Sequence, residues 1–294
     1  MSQPIPYYAQ RQPPIPPNPI LSNVRINKQI DMDHESQLKS LRSFVQLFSE
    51  TQPFWVEVAV LDRIHYKNMN QQRQFHRFKR AMELRRLLKR LKALELHKEL
   101  ERLYLSFWNT SSLDRCQSQW HYIPSKESVC YTMHRLISAA LLLDKIKVVT
   151  LETFRANSTL LKLEHFVSLA IVVMGLCSRL YKLAHVWVNQ IEECYHLLFR
   201  WSACFPSGLK QKELAAFESQ HNLVCHAETF KSIRTQYAET MQRHKASQQF
   251  PVHLETWIAN QTVVDKSRDI PLDPSSDKED DMNDDEDLGE VIQR

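Results

Sequence analysis

Glycine is scarce in this chain of 294 residues, which contains only Gly175, Gly208 and Gly289. Proteins built from β-sheets use glycine in hairpins and bulges, so its scarcity argues against a sheet and favours long helices with few tight turns. The hydrophobic fraction is 43%, which is sufficient for a packed core. We predict an all-α protein, an elongated helical bundle with two long helices.

The motifs of the common catalytic sites are also missing. The sequence has no GxxxxGK[ST] phosphate loop, no GxGxxG, no GxSxG and no HExxH. These motifs mark nucleotide hydrolases, dinucleotide-dependent enzymes, serine hydrolases and zinc peptidases. We therefore predict that the protein is not an enzyme, has no catalytic residues of its own and holds no cofactor.

Paired cysteines and long apolar runs are absent as well. The six cysteines form no CxxC pair and the first residues lack the apolar core of a signal peptide, so we expect an intracellular protein. Cys116, His121, Cys130 and His134 are spaced more loosely than the ligands of structural zinc, and we predict no metal. The longest uncharged apolar run, residues 166–178, has 13 residues. A membrane span needs roughly 18, so no membrane partner is expected.

The two ends of the chain differ in composition from its middle. Seven prolines lie within residues 1–19. Residues 265–294 carry twelve acids against four bases, a balance of −8, which leaves +12 for the rest of a chain whose net charge is +4. Such compositions do not support a packed core. We predict a disordered Pro-rich segment at 1–32, an α-helical domain at 33–264 and a disordered acidic tail at 265–294.

Apolar residues at spacings of three and four predict helices along the middle region. Ser125 is a predicted N-cap, and Pro53 suits the first turn of a helix. The segment 158–204 is apolar nearly all round in its middle, which is typical of a helix at the centre of a bundle. The predicted helical segments are approximately 33–49, 53–64, 73–108, 125–146, 158–204 and 209–247, with 109–124 as a loop.

Positive charge is concentrated between residues 63 and 102, which contain thirteen Lys or Arg but only four Glu. A helical rotation places Leu84, Leu87, Leu88, Leu91 and Leu94 on one face and a row of bases on the other. One interpretation is a solvated face with excess charge. We favour contact with RNA or DNA, because closely spaced like charges repel one another unless phosphates neutralise them.

The stretch "HYKNMNQQRQFHRFKR" (residues 65–80) mixes amide, aromatic and basic side chains. Amides can bond base edges or 2′-hydroxyl groups, rings can stack on bases, and bases can contact phosphate. The alternative is a polar corner that caps two helices. The predicted RNA-binding residues are His65, Lys67, Asn68, Arg73, Arg77, Arg80, Arg85, Arg86, Lys89 and Arg90, with Tyr66, Phe75 and His76 as further rings.

Arg179 interrupts the most apolar segment of the chain. A guanidinium in apolar surroundings requires a partner, and the sequence offers Glu152, Glu164 or a backbone carbonyl. We predict a structural role for Arg179, with contact to RNA or to a partner protein as the alternative.

Three stretches in this order resemble the nucleolus and neural progenitor protein family (Nepro). They are "RRLLKRLKALELHKELERLY" (85–104), "YIPSKESV" (122–129) and "LAIVVMGLCSRLYKL" (169–183), within a match over roughly 40–204. More distantly, "IHYKNMNQQR" (64–73) and the segment from Arg179 to Tyr181 are similar to the RNase MRP-specific protein subunit of fungi. Gln72 stands where the fungal pattern has His.

The resemblance implies a nucleolar, helical, RNA-binding subunit of RNase MRP that acts in precursor rRNA processing and ribosome biogenesis. Its implied partners are the noncoding RNA of RNase MRP, precursor rRNA and other RNase MRP/P protein subunits. Gly175, Arg179 and Tyr181 would hold the apolar helix against its neighbours. The alternative is a nuclear or nucleolar adaptor for protein interactions, with developmental gene regulation as one role, whose basic helix is a localisation signal.

Overall fold

The computed structural model describes residues 7–17, 19–27, 29–116, 119–213 and 228–248. Residues 1–241 form one compact unit; of the second unit, 242–294, the structure describes only residues 242–248, the end of a helix that begins in the first unit. The described helices are α1 (His34–Leu47), α2 (Pro53–Gln72), α3 (His76–Lys92), α4 (Leu96–Leu105), α5 (Lys126–Lys162), α6 (Val167–Ser202) and α7 (Thr229–Gln248). The predicted all-α fold is thus confirmed, while the predicted end of the domain at 264 and the acidic tail at 265–294 lie outside the described residues.

Helix α1 begins close to its predicted start, and the predicted signals Pro53 and Ser125 lie where α2 and α5 begin. Asp33 caps α1, since its carboxylate accepts hydrogen bonds from the backbone N–H groups of Glu35 and Ser36 at 3.1 and 3.2 Å. Pro53 is in the first turn of α2, where its missing N–H has no helical acceptor to lose. Ser125 caps α5 through a hydrogen bond from the backbone N–H of Ser128. These boundaries follow from local hydrogen-bonding needs of helix ends.

The central helix of the bundle is α5, which packs against α3, α4 and α6. It is buried all round from Val129 to Ile137. The prediction that the segment 158–204 forms the centre is therefore wrong. Its main part, α6, buries one face on α2 and α5 and leaves the other exposed, with Ile171 and Val172 at 55% and 50% of their full exposure.

The predicted uninterrupted helix over 73–108 is also wrong, because the chain turns between α3 and α4. Glu95 lies at the turn with a φ of 47°, in the left-handed region that few residues other than glycine adopt. The turn lets α3 pack on α5 while α4 packs on α1 as well as α5. A straight helix could not bury both leucine-rich faces, so tertiary packing outweighs the helical propensity of the segment.

A second turn divides the residues predicted as one helix from 158 to 204. Residues 158–162 complete α5, and the chain reverses before Val167. Glu164 and Phe166 both have a positive φ, of 55° and 51°. The ring of Phe166 is nevertheless half exposed, so this bulky residue holds an uncommon backbone conformation at the surface. The two long helices of the fold are therefore α5 and α6.

The Pro-rich start is extended but packs on the bundle, which corrects the prediction of a disordered segment for the residues that the structure describes. Tyr7 is 1% exposed, and the hydroxyl of Ser138 on α5 donates a hydrogen bond of 2.6 Å to the carbonyl of Tyr8. The strand Ile20–Ser22 pairs in antiparallel fashion with Tyr122–Pro124, inside the predicted loop. Extended backbone suits this pairing, since proline disfavours a helix.

Candidate nucleic-acid interface

One side of α3 carries a cluster of exposed bases. Leu84, Leu87, Leu88 and Leu91 are buried to between 0 and 4% exposure, which confirms the predicted apolar face. A rotation of about 100° per residue brings four exposed bases within one sector on the opposite side. This cationic face consists of Lys79, Arg86, Lys89 and Arg90. None of the four forms an ion pair with another described residue, so their charges remain available to an anion.

Two other predicted RNA-binding residues form ion pairs with acidic residues of the protein itself. Arg85 donates to the carboxylate of Asp62 and, at 2.8 Å, to Nδ1 of His65, which ties α3 to α2. Arg80 pairs with Glu83 at 3.0 Å and with Glu152 of α5 at 3.6 Å. The structure therefore separates the predicted bases into those that join helices and those that face outward.

The joint between α2 and α3 is mostly helical, because α2 continues to Gln72 and α3 begins at His76. Lys67 and Arg73 are exposed on it, as is Tyr66 at 77%. Asn68 uses its amide nitrogen for a hydrogen bond of 2.8 Å to the carbonyl of Ile64, within the same helix. The side chain of His76 lies outside the described residues. Lys67 and Arg73 are thus further exposed bases at the end of α2.

His65 does not present the exposed stacking ring that the sequence suggested. It is 5% exposed and stacks on Phe78, with 4.1 Å between ring centroids. Burial, together with the positive charges of Arg85 and Lys89, lowers the pKa of His65 from 6.5 to about 4, although Asp62 acts in the opposite direction. The ring is therefore neutral near pH 7 and packs α2 on α3.

Acid should destabilise the fold through His65. The unfolded chain binds a proton near the ordinary pKa of 6.5 and the folded chain only near 4, so the stabilising contribution is present above 6.5 and is lost as the pH falls. Between about pH 7.5 and about pH 5 the loss is about 2 kcal/mol. Denaturant unfolding across this range, repeated with His65→Asn, measures the effect. An unchanged pH dependence in the variant would contradict it.

Arg77 connects the joint to the turn between α5 and α6. Its guanidinium carbon lies 4.7 Å from the ring centroid of Phe75 and 4.9 Å from that of Phe166, and it donates a hydrogen bond to the side-chain oxygen of Gln72. Phe75 and Phe166 are 46% and 50% exposed. Sequence reasoning missed Phe166, because no local signal connects it with a base some ninety positions earlier. The result is a cation that contacts two exposed rings, which also pack edge to face on each other with 6.5 Å between their centroids.

Arg179 lies on the exposed side of α6 rather than in the core. Its guanidinium pairs with Glu57 of α2 at 2.7 Å, and the side chains are 68% and 6% exposed respectively. Glu57 replaces Glu152 and Glu164, the partners proposed from the sequence. Tyr181 is 39% exposed, and a Cβ added at Gly175 would meet nothing within 4 Å. Arg179 therefore links α6 to α2 through this ion pair.

The exposed side of α6 is also unusually apolar. Ile171, Val172 and Val186 are between 48 and 55% exposed. By length and composition α6 could cross a membrane, and only 33% of its most apolar stretch is buried in the protein. Exposed apolar surface of this kind is typical of contact with another macromolecule or a lipid.

The described residues contain no group of three or more His, Cys, Asp or Glu placed to hold a metal ion. Cys130 and His134 are buried on α5. The ring of His134 packs against Tyr7 and Tyr8.

Comparison with known proteins identifies the family. The family model of the N-terminal region of nucleolus and neural progenitor protein matches residues 13–199, more than half of the chain. No curated protein and no solved structure matches. The matched region includes α1 to α5, most of α6, the cationic face and the joint. The chain therefore belongs to the nucleolus and neural progenitor protein family.

Proposed function

We propose that the protein is a non-catalytic, RNA-binding subunit of the nucleolar ribonucleoprotein RNase MRP, with a role in precursor rRNA processing and ribosome biogenesis. In this role the RNA supplies catalysis, and the protein braces the RNA and its substrate. Its partners are the noncoding RNA of the particle or precursor rRNA, and other RNase MRP/P protein subunits.

The observation that carries the proposal is the cationic face of α3. Its four bases are exposed and lack acidic partners among the described residues. Like charges this close destabilise a helix, and phosphate groups would remove that repulsion while releasing counterions. Lys67 and Arg73, at the end of α2, are further exposed bases. A row of this kind can follow a nucleic-acid backbone, whereas a single ion pair with a protein would leave most of it unused.

Membership of this family supports a location in the nucleolus. The family is named after the nucleolus, where precursor ribosomal RNA is the abundant polyanion. The similarity of the joint at 64–73 to the fungal RNase MRP-specific subunit supports the choice of particle.

The test is a pull-down of the tagged full chain from nucleolar extract, followed by sequencing of the bound RNA. The proposal predicts enrichment of one small noncoding RNA together with precursor rRNA fragments. A pull-down free of RNA, from extract in which a known RNA-binding protein retains its RNA, would end the proposal.

The exposed apolar side of α6 favours a second candidate, an adaptor for protein interactions whose basic helix serves as a localisation signal. The same pull-down after ribonuclease treatment separates the two. An adaptor keeps its protein partners without RNA and loses them when Ile171, 55% exposed on α6, is replaced by Asp. An RNA-bridged subunit loses them on ribonuclease treatment alone.

A further inference from the structure

Two half-exposed phenylalanine rings contact each other where the start of α3 approaches the turn between α5 and α6. Phe75 is the N-cap residue of α3 and Phe166 that of α6. Their ring centroids are 6.5 Å apart and the ring planes are inclined at 65°. A lone exposed ring needs no explanation, although phenylalanine is among the residues most often buried. Two exposed rings in contact form an apolar surface, which is typical of a binding site for another molecule.

Arg77 restrains the orientation of both rings. Its guanidinium contacts the ring of Phe75 and the ring of Phe166, and it donates a hydrogen bond to the side-chain oxygen of Gln72. Gln72 is buried, so the arginine is anchored to the interior of the protein. Rings that are already oriented lose little conformational entropy when a ligand stacks on them. The two rings are therefore positioned before a ligand binds.

The backbone of Phe166 provides a second indication that this ring acts at the surface. Its φ of 51° lies in the left-handed region, which a bulky residue rarely adopts and glycine adopts without strain. The core does not require a ring at this position, because the residue is 50% exposed. A strained conformation that packing does not explain is typical of functional sites.

The chain around the two rings is positively charged. Apart from histidines, four basic residues and one acidic residue lie within four positions of either ring, namely Arg73, Arg77, Lys79, Lys162 and Glu164. Lys79 belongs to the cationic face, and its backbone N–H donates to the carbonyl of Phe75 at 3.3 Å. The cationic face therefore begins one helical turn after this ring. Exposed rings beside basic side chains match a ligand that has both flat nucleobases and phosphates.

We propose that Phe75 and Phe166 form a stacking site for an unpaired base of the bound RNA. The base stacks on the exposed part of one ring, while Arg73 or Lys79, both exposed, contacts an adjoining phosphate. Every nucleobase has a flat π-face, so the site accepts any of them. In duplex RNA the bases are paired and stacked on one another, so they are not available to a protein ring in this way. The inference rests on the proposed RNA binding and adds to it a contact that is specific to unpaired RNA.

The test measures the affinity of the purified full chain for oligouridine and for duplex RNA of equal length at several salt concentrations. Phe166→Leu keeps an apolar side chain but removes the ring. It should lower the ratio of single-strand to duplex affinity about tenfold, which corresponds to the lower end of the range for one stacked base. The slope of log affinity against log salt should stay that of wild type, because the ring carries no charge.

Three further variants accompany this test. Phe166→Trp keeps an aromatic ring and should bind the single strand at least as tightly as wild type. Leu163→Ala removes an apolar side chain that is 59% exposed three residues before Phe166, and it should retain the wild-type affinity for both RNAs. Phe75→Leu takes the place of Phe166→Leu if that variant does not fold, with the same tenfold fall expected in the ratio.

The outcomes distinguish the inference from the proposed function. RNA binding by wild type with an unchanged ratio in the folded Leu variant would overturn the stacking site and leave the proposed function intact. An equal fall of the ratio in Leu163→Ala would also overturn it, because a general apolar contact would then replace stacking. No binding of either RNA by wild type would refute the proposed function, and the stacking site with it.

Discussion

Replacing Arg86, Lys89 and Arg90 by Glu should weaken the binding of single-stranded RNA about a hundredfold at about 0.1 M salt. Each phosphate contact to a single strand releases about 0.7 of a counterion, so three contacts contribute about two decades of affinity at this salt concentration. All three side chains are exposed on α3. Their replacement therefore removes charge without opening the core. Arg85 is left unchanged because it joins α3 to Asp62 and His65.

The salt dependence provides an independent measurement of the same contacts. With about five phosphate contacts the slope of log affinity against log salt is roughly −3.5, and with three fewer it should be about −1.4. Arg25→Glu, Lys39→Glu and Lys126→Glu together form the control, because these exposed bases lie elsewhere and the change in net charge is equal. Equal losses in both triple variants would show that only the net charge matters, and the cationic face would then not be the interface.

The parts of the fold that depend on neighbouring residues could be predicted from the sequence. Asp33 and Ser125 cap helices because their side chains reach N–H groups two or three positions later, a relation that a sequence contains directly. The buried face of α3 likewise follows from the helical period, which places Leu84 and Leu88 one turn apart.

The turns within the leucine-rich segments could not be predicted in this way. Neither glycine nor proline marks the turn at Glu95 or the turn before Val167. The turn at Glu95 exists because α3 and α4 pack against different neighbours, and the turn before Val167 exists because α5 and α6 pack against each other. Both arrangements depend on contacts between residues far apart in the sequence, so a local periodicity predicts the helices but not the breaks between them.

Which of the predicted bases are paired and which face outward also depends on contacts between residues far apart in the sequence. The sequence shows many bases between residues 63 and 102. It does not show which of them face outward and which are paired, because both kinds are Lys or Arg. Arg85 is paired because α2 brings Asp62 to it, and Arg77 contacts the ring of Phe166 because the turn before α6 brings that ring to it. The candidate interface is thus narrower than predicted, at Lys67, Arg73 and the cationic face.

Removal of the Arg179 side chain should destabilise the fold by about 3 kcal/mol, at the lower end of the range for breaking a buried ion pair, since the arginine itself is largely exposed. The loss arises at the other end of the pair. The carboxylate of Glu57 is 6% exposed, and Arg179 at 2.7 Å is its ion-pair partner among the described residues. Without the guanidinium, the largely buried carboxylate of Glu57 loses its counter-ion, and the surrounding protein limits the water that can replace it. The melting temperature of Arg179→Ala should therefore fall by roughly 6–12 °C.

The double variant Glu57→Gln with Arg179→Ala tests this cause, because it removes the buried charge together with its partner and should recover most of the lost stability. Lys182→Ala is the matched control, since Lys182 is exposed on the same helix and forms no ion pair with a described residue, so its melting temperature should stay close to that of wild type. A stable Arg179→Ala variant that no longer associates with RNA or protein partners would contradict the structural role, because Arg179 would then serve the partner and Glu57 would only orient its guanidinium.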